Sequence, residues 1–256
     1  MTDNRPLLYH ETQSEALCAV HCLNAVVQAP MFTEVDLANA AQALEAQERE
    51  LRAAAGLDSK EFLEYVASGE SAYVADDGNF SIVVMNRALE AVGLEAVAVE
   101  HPSMVASVAA DPSAFDAYIL NSGAHWIALR KLYGTWYNLD SLEDLPTVVT
   151  DFYLAAFLSS MRGAGYTAFV VQGTFMTPRQ FQPDFDLEGA DASPHYKFPR
   201  AAGRPPRRRT GRRGDGGGGD GGGGDDEESY QLALALAMSM QAASDAVQGA
   251  GGAGTG

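Results

Sequence analysis

Only two cysteines, Cys18 and Cys22, occur in the 256 residues, and they stand one helical turn apart, where their side chains do not readily bridge. That argues against a disulfide framework and makes a reducing compartment the natural home of a reactive thiol. Apolar runs long enough to span a bilayer are missing, and residues 1–20 lack a basic stretch followed by an apolar core. A chain neither secreted nor embedded in a membrane is therefore expected. No Cys/His cluster has the spacing of a metal site, so neither metal nor cofactor is expected. Positive charge is scarce: the first 200 residues hold 11 Lys and Arg against 27 Asp and Glu, and the remainder 6 against 7. An acidic body of this kind speaks against specific nucleic-acid binding and suits a basic protein partner. What is abundant is apolar side chain, 46% of the sequence, enough for one domain with a real core and an extension.

Within that domain Gln13 and Cys18 come early, and a His125-Trp126 pair and Asp140 come late. A thiol attacks a carbonyl as thiolate, so it needs an imidazole to take its proton and a third polar group to hold that imidazole in place. Around Cys18 polar residues give way to an apolar, helix-compatible run. A helix starting there, capped by Ser14 or its neighbours, would aim its unpaired N–H groups at the sulfur and favour the thiolate. Gln13, five residues upstream, is placed to donate an amide hydrogen bond to an oxyanion. Cys22, a turn further on, reads as a small core residue.

The alternating runs Ala117–Asn121, His125–Leu132 and Thr135–Asp140 predict three strands, separated by Ser122-Gly123-Ala124 and by Tyr133-Gly134. His125 opens one strand and Asp140 closes its antiparallel neighbour, which brings the two side by side. Asn138, on the same face as Asp140, is the rival partner for the imidazole. Between the two halves of the site, Thr33-Glu34-Val35-Asp36 resembles a capping box opening a helix over Val35 to about Ala55. Ser59 begins a shorter helix ending before Gly69, and Phe80–Val92 forms a further one.

The stretches Gln13–Asn24, Asp76–Ile82, His125–Leu132, Trp136–Ser141 and Tyr153–Leu158 resemble, collinearly over residues 7–175, the Josephin family of deubiquitinases. The resemblance implies an α+β, papain-like cysteine protease fold with a helical hairpin insertion over residues 1–180, hydrolysing bonds to the C-terminal glycine of ubiquitin. It assigns nucleophile, base, orienting residue and oxyanion amide to Cys18, His125, Asp140 and Gln13. Family contacts with ubiquitin fall on Phe32, Ile82 and Val83, and also on Met31 and Val92, where the ataxin branch carries aromatic residues.

Beyond residue 180 the composition shifts. Residues 181–224 are rich in Pro, Arg and Gly and are expected to form a disordered linker, as is a Gly-rich tail over 244–256. Arg204–Arg213 is a basic cluster open to three readings: nuclear import, by resemblance the docking motif for the valosin-containing AAA ATPase, or weak RNA attraction or no specific role. Residues 225–243 place four acids before a strong helix former, with Leu232, Ala235 and Ser239 at the positions of a ubiquitin-interacting motif. The expected partners are thus ubiquitin and polyubiquitin, the expected location nucleus and cytoplasm, and the expected activity a cysteine-type deubiquitinase. A ubiquitin-binding adaptor without catalysis, or a papain-like hydrolase with another substrate, are the alternatives.

Overall fold

The computed structural model describes residues 6–13, 17–54, 56, 59–60, 63, 73–74, 79–123, 125–178 and 195–200. The cap at Ser14, most of the shorter hairpin helix, the Arg204–Arg213 cluster and the helix carrying Leu232, Ala235 and Ser239 lie outside the described residues.

A six-stranded antiparallel sheet forms the centre, in the order β2 (Leu94–Ala98), β7 (Thr167–Gly173), β3 (Ala117–Asn121), β4 (Trp126–Leu132), β5 (Thr135–Asn138) and β6 (Thr147–Val149). Its strands alternate strictly. On β3, Ala117 and Ile119 face one side and Tyr118 and Leu120 the other; on β4, Trp126 and Ala128 oppose Ile127 and Leu129. The first face is covered by α1 (Cys18–Val27), α2 (Glu34–Ala54) and α3 (Ile82–Glu90), the second by α4 (Val105–Ala110) and α5 (Asp151–Gly163). On the second face Trp136, Tyr118 and Phe157 are fully buried, each contributing about 2 to 3 kcal/mol of apolar burial.

The hairpin between β4 and β5 turns on Tyr133 and Gly134, both at positive φ, the geometry that matches the twist of a two-residue hairpin. The turn before β4 is built differently. Asn121 Oδ1 accepts from the Gly123 N–H at 2.9 Å, and its Nδ2 reaches the His125 carbonyl at 3.4 Å. The strands begin and end slightly inside their expected bounds: His125 precedes β4, and Asp140 lies two residues past β5. Asp140 therefore does not close the strand, although the Leu139 N–H still pairs with the Ala128 carbonyl at 2.8 Å and carries the register towards it.

Helix α1 is apolar almost all round and buried accordingly, lying across β4. Its N-cap is Leu17, with no side-chain cap. At its other end Gln28 takes the left-handed conformation and bonds back to the Ala25 carbonyl, while Arg130 on β4 donates to the Val26 carbonyl at 3.1 Å. Helix α2 opens on the expected capping box, with Asp in the place of Glu: Thr33 Oγ1 accepts from the Asp36 N–H, and Asp36 Oδ2 from the Thr33 N–H at 2.8 Å. Of its 21 residues Leu37 and Ala41 are buried and Ala38, Ala40 and Leu44 pack partly against the core, so the helix is anchored through its first half and extends beyond the core with its second. Helix α3 is shorter than expected, running from Ile82 rather than Phe80, because Trp126 Nε1 holds the Phe80 carbonyl at 3.0 Å outside the helix.

A second, two-stranded sheet pairs β1 (Leu8–Tyr9) with β8 (Tyr196–Lys197). Residues 195–200 thus belong to the folded unit instead of the linker expected from residue 181. Arg200 extends the attachment, its N–H donating to the Pro146 carbonyl at 2.7 Å.

Candidate active site

Cys18 is the first residue of α1, with 1% of its surface exposed. A residue in the first turn has no intrahelical acceptor for its N–H, so backbone donors and the positive end of the helix dipole gather around the sulfur. Across from it His125 stands at the entry to β4, its Nε2 bonded to Asp140 Oδ1 at 2.7 Å. Asp140 is fully buried, and the same oxygen accepts from the Leu142 N–H at 3.0 Å. Asn138, the rival, sits within β5 opposite Leu129 and does not take the imidazole. With Nε2 engaged, Nδ1 is the ring nitrogen left to face the thiol.

Electrostatics follow from that chain. Burial works against a charged His125, but the hydrogen bond to Asp140 and the interactions with Cys18 outweigh it and raise its pKa to about 10. Cys22 behaves in the opposite way: burial first, then Cys18 and Asp140, push its thiol well above the ordinary value and keep it protonated. That agrees with a core role.

Gln13 is fixed twice to the loop after β5. Its N–H donates to the Ser141 carbonyl at 2.7 Å, and the Ser141 hydroxyl donates to its Oε1 at 3.0 Å. Once the oxygen end is committed, Nε2 is the free end of the amide and is a donor. Ser141 was not assigned a role from sequence; its place beside Asp140 was the signal. Asn79 carried no such signal, yet its Oδ1 lies 3.0 Å from Cys18 Sγ and accepts from the thiol.

Behind these residues a polar network binds the N-terminal segment to α1. Glu11 Oε2 pairs with His21 Nδ1 at 2.7 Å, Glu11 also accepts from Tyr9, and Asn24 donates to it at 3.3 Å. Asn24 Oδ1 then accepts from the Met31 and Phe32 N–H groups at 3.0 and 2.8 Å.

A family model for the Josephin domain matches residues 13–172. The chain belongs to the Josephin family. Among its relatives is an ataxin-3 homolog of Arabidopsis thaliana, 41% identical over 178 residues that make up 68% of this chain and 62% of that protein. A putative ataxin-3 homolog of Oryza sativa subsp. japonica is 39% identical over 67% of this chain and 52% of its own length. Ataxin-3 of Homo sapiens is 37% identical over 65% of this chain and 45% of its own length. The match thus spans about half of these curated relatives. The Josephin domain here is α+β, as its sequence led one to expect.

On this Josephin domain the expected ubiquitin contacts are not equivalent: Met31 is 38% exposed, Val92 is half-buried, and the other three differ among themselves. Phe32 is buried in the first core, with 6% of its surface exposed; Ile82 is half-buried; Val83 is 48% exposed. Val83 alone of the three offers a largely open side chain. Beside the site a groove of about 350 Å³ is lined by Tyr73, Val74, Asn79, Phe80, Ile82 and Trp126, among others. Among the described residues no group of three or more His, Cys, Asp or Glu could hold a metal ion, and no helix is long and apolar enough to cross a membrane.

Proposed function

We propose that this chain is a cysteine-type deubiquitinase, in which Cys18 attacks the carbonyl of the C-terminal glycine of ubiquitin. The observation that carries the reading is the chain from Asp140 through His125 to Cys18, with the donor end of Gln13 left open by Ser141. Membership of the Josephin family supports it. The S–H proton passes to His125 Nδ1, and the sulfur bonds to the carbonyl carbon. The oxygen that becomes negative is received by Gln13 Nε2 and by the Cys18 backbone N–H. His125 then gives its proton to the departing amine, leaving a thioester, and takes one from water to hydrolyse it.

The acidic body complements a basic protein such as ubiquitin. Leu232, Ala235 and Ser239 would hold a second ubiquitin of a chain through the tethered helix, and Arg204–Arg213 would dock the valosin-containing AAA ATPase. The test is reaction with a ubiquitin bearing a C-terminal electrophile, beside Cys18→Ala. A covalent adduct absent from the variant supports the reading. No adduct, with polyubiquitin still bound, turns it to a non-catalytic adaptor.

A further inference from the structure

Cys18 lies between two groups that compete for its proton. On one side is His125, fixed through Nε2 by Asp140 and interacting with the sulfur. On the other is Asn79, whose Oδ1 accepts the S–H at 3.0 Å. A thiol has one proton and cannot give it to both. A carboxamide oxygen at this distance attracts an S–H and repels a thiolate, so Asn79 and His125 favour opposite states of the same sulfur.

The position of Asn79 is set by the same strand that carries the base. It directly precedes Phe80, whose carbonyl is gripped by Trp126 Nε1, next in the chain after His125. Asn79 also lines the groove with Tyr73, Val74, Phe80 and Ile82, while Cys18 is almost wholly covered. A peptide backbone entering along that groove meets Asn79 before it meets the sulfur, and brings donors and acceptors suited to a carboxamide.

We infer that Asn79 is a further active-site residue: its amide oxygen draws the proton towards Cys18 while the groove is empty, against the stronger pull of His125, and arriving substrate backbone engages that amide and leaves the proton to His125. The inference rests on the thiol-hydrolase reading above. The step moves one proton, breaking S–H and forming N–H at His125, and needs no further reactant. It leaves the nucleophile quieter between substrates than when one is seated.

Alkylation of Cys18 by iodoacetamide near neutral pH tests this, because it reads thiolate availability without an oxyanion or a groove contact. Fragment-ion masses separate Cys18 from Cys22, which share one tryptic peptide. Asn79→Ala is expected to be alkylated about fivefold faster than the native protein, the effect of one neutral hydrogen bond lost. Asn79→Asp is expected to be slower, since a carboxylate accepts the S–H more strongly and repels the thiolate. Damage to the fold would move both variants in the same direction. With the ubiquitin electrophile, whose backbone has the Asn79 amide to engage in the native protein, the advantage of Asn79→Ala seen with iodoacetamide should disappear or reverse. An Asn79→Ala rate equal to or below the native one overturns the inference. A native protein that alkylates no faster than a free cysteine and forms no ubiquitin adduct overturns the hydrolase reading, and the inference with it.

Discussion

Asp140 holds His125 through a 2.7 Å hydrogen bond, and the oxygen that makes it is also fixed by the Leu142 N–H at 3.0 Å. That second donor orients whatever side chain stands at 140. An asparagine there would present its oxygen to both donors, keeping the proton on His125 Nε2 and leaving Nδ1 for the thiol. Asp140→Asn is therefore expected to keep hydrolysis within about tenfold of the native rate, whereas Asp140→Ala loses on the order of 10³ or more. Without the carboxylate the pKa of His125 falls from about 10, because burial is then opposed by less. Titration of the ring by NMR checks the direction, and steady-state kinetics the ranking.

In the proposed mechanism Gln13 contributes to acyl transfer and not to the nucleophilicity of the thiol. Gln13→Ala should lower ubiquitin hydrolysis by about 10² to 10³ and leave iodoacetamide alkylation of Cys18 unchanged. Ser141→Ala frees the amide to rotate and should show a milder loss of the same kind. A fall in alkylation along with hydrolysis would contradict this division of labour.

His10 shapes the acid side of the stability profile. It is fully buried, with Nε2 on the Glu143 carbonyl at 2.8 Å. Burial lowers its pKa from 6.5 to about 4; the Glu143 carbonyl, Asp140 and Glu11 pull it up, and Lys197 pushes it further down. Between those values the unfolded chain binds a proton that the folded chain refuses. Stability should therefore fall as pH drops from 6.5 towards 4, by about 3 kcal/mol in all. His125 acts in the reverse sense: its contribution is complete below 6.5 and is lost as pH rises towards about 10. Urea unfolding across this range reads both limbs, and His10→Leu should flatten the acid one.

Arg130 is buried and forms no ion pair within 4 Å among the described residues, its guanidinium spread over the carbonyls of Val26, Asp116 and Lys131 and stacked 3.9 Å from the Phe175 ring. Arg130→Met removes the guanidinium donor from these carbonyls, of which Asp116 keeps the Lys131 N–H, and should cost about 2 to 4 kcal/mol in chemical denaturation. Turnover measured well below the melting temperature should change far less.

The proposed ubiquitin-interacting motif at residues 225–243 is tested by chain length. Replacing Ala235 with Gln should raise KM for polyubiquitin by about tenfold or more and leave a mono-ubiquitin substrate unaffected. Equal effects on both substrates would remove the helix from the proposal.

The sheet's centre was legible because β3, β4 and β5 alternate over four or more residues and are joined by turns with recognisable residues. Thr33 and Asp36 announced the start of α2 for a local reason, a reciprocal pair of hydrogen bonds three residues apart. Other parts had no local signature. The N-cap of α1 is a leucine, so the search for a polar cap pointed upstream to Ser14. Leu94–Ala98 shows only two buried residues around Glu95, too short a pattern to separate a strand from a helix end. The contact of Asn79 with Cys18 joins residues 61 apart in the chain, and nothing in either neighbourhood foretells it. Phe32 is buried where a surface contact was expected, and Asn24 holds its backbone from both sides, a tertiary contact its own neighbourhood does not announce.

The pairing of β1 with β8 joins residue 8 to residue 197 and residue 9 to residue 196. Lys197 reaches further, donating to Thr12, the neighbour of Gln13, and to the Asp144 carbonyl at 3.0 Å. The domain is in effect a closed ring whose last described strand lies against the segment that carries Gln13, the proposed oxyanion donor. Cutting the chain at residue 180 would open that ring and leave Leu8 and Tyr9 unpaired. Mechanical load has the same point of entry: tension on a tail that is anchored elsewhere is borne first by β8, and peeling that strand away would slacken Gln13 before it disturbed Cys18.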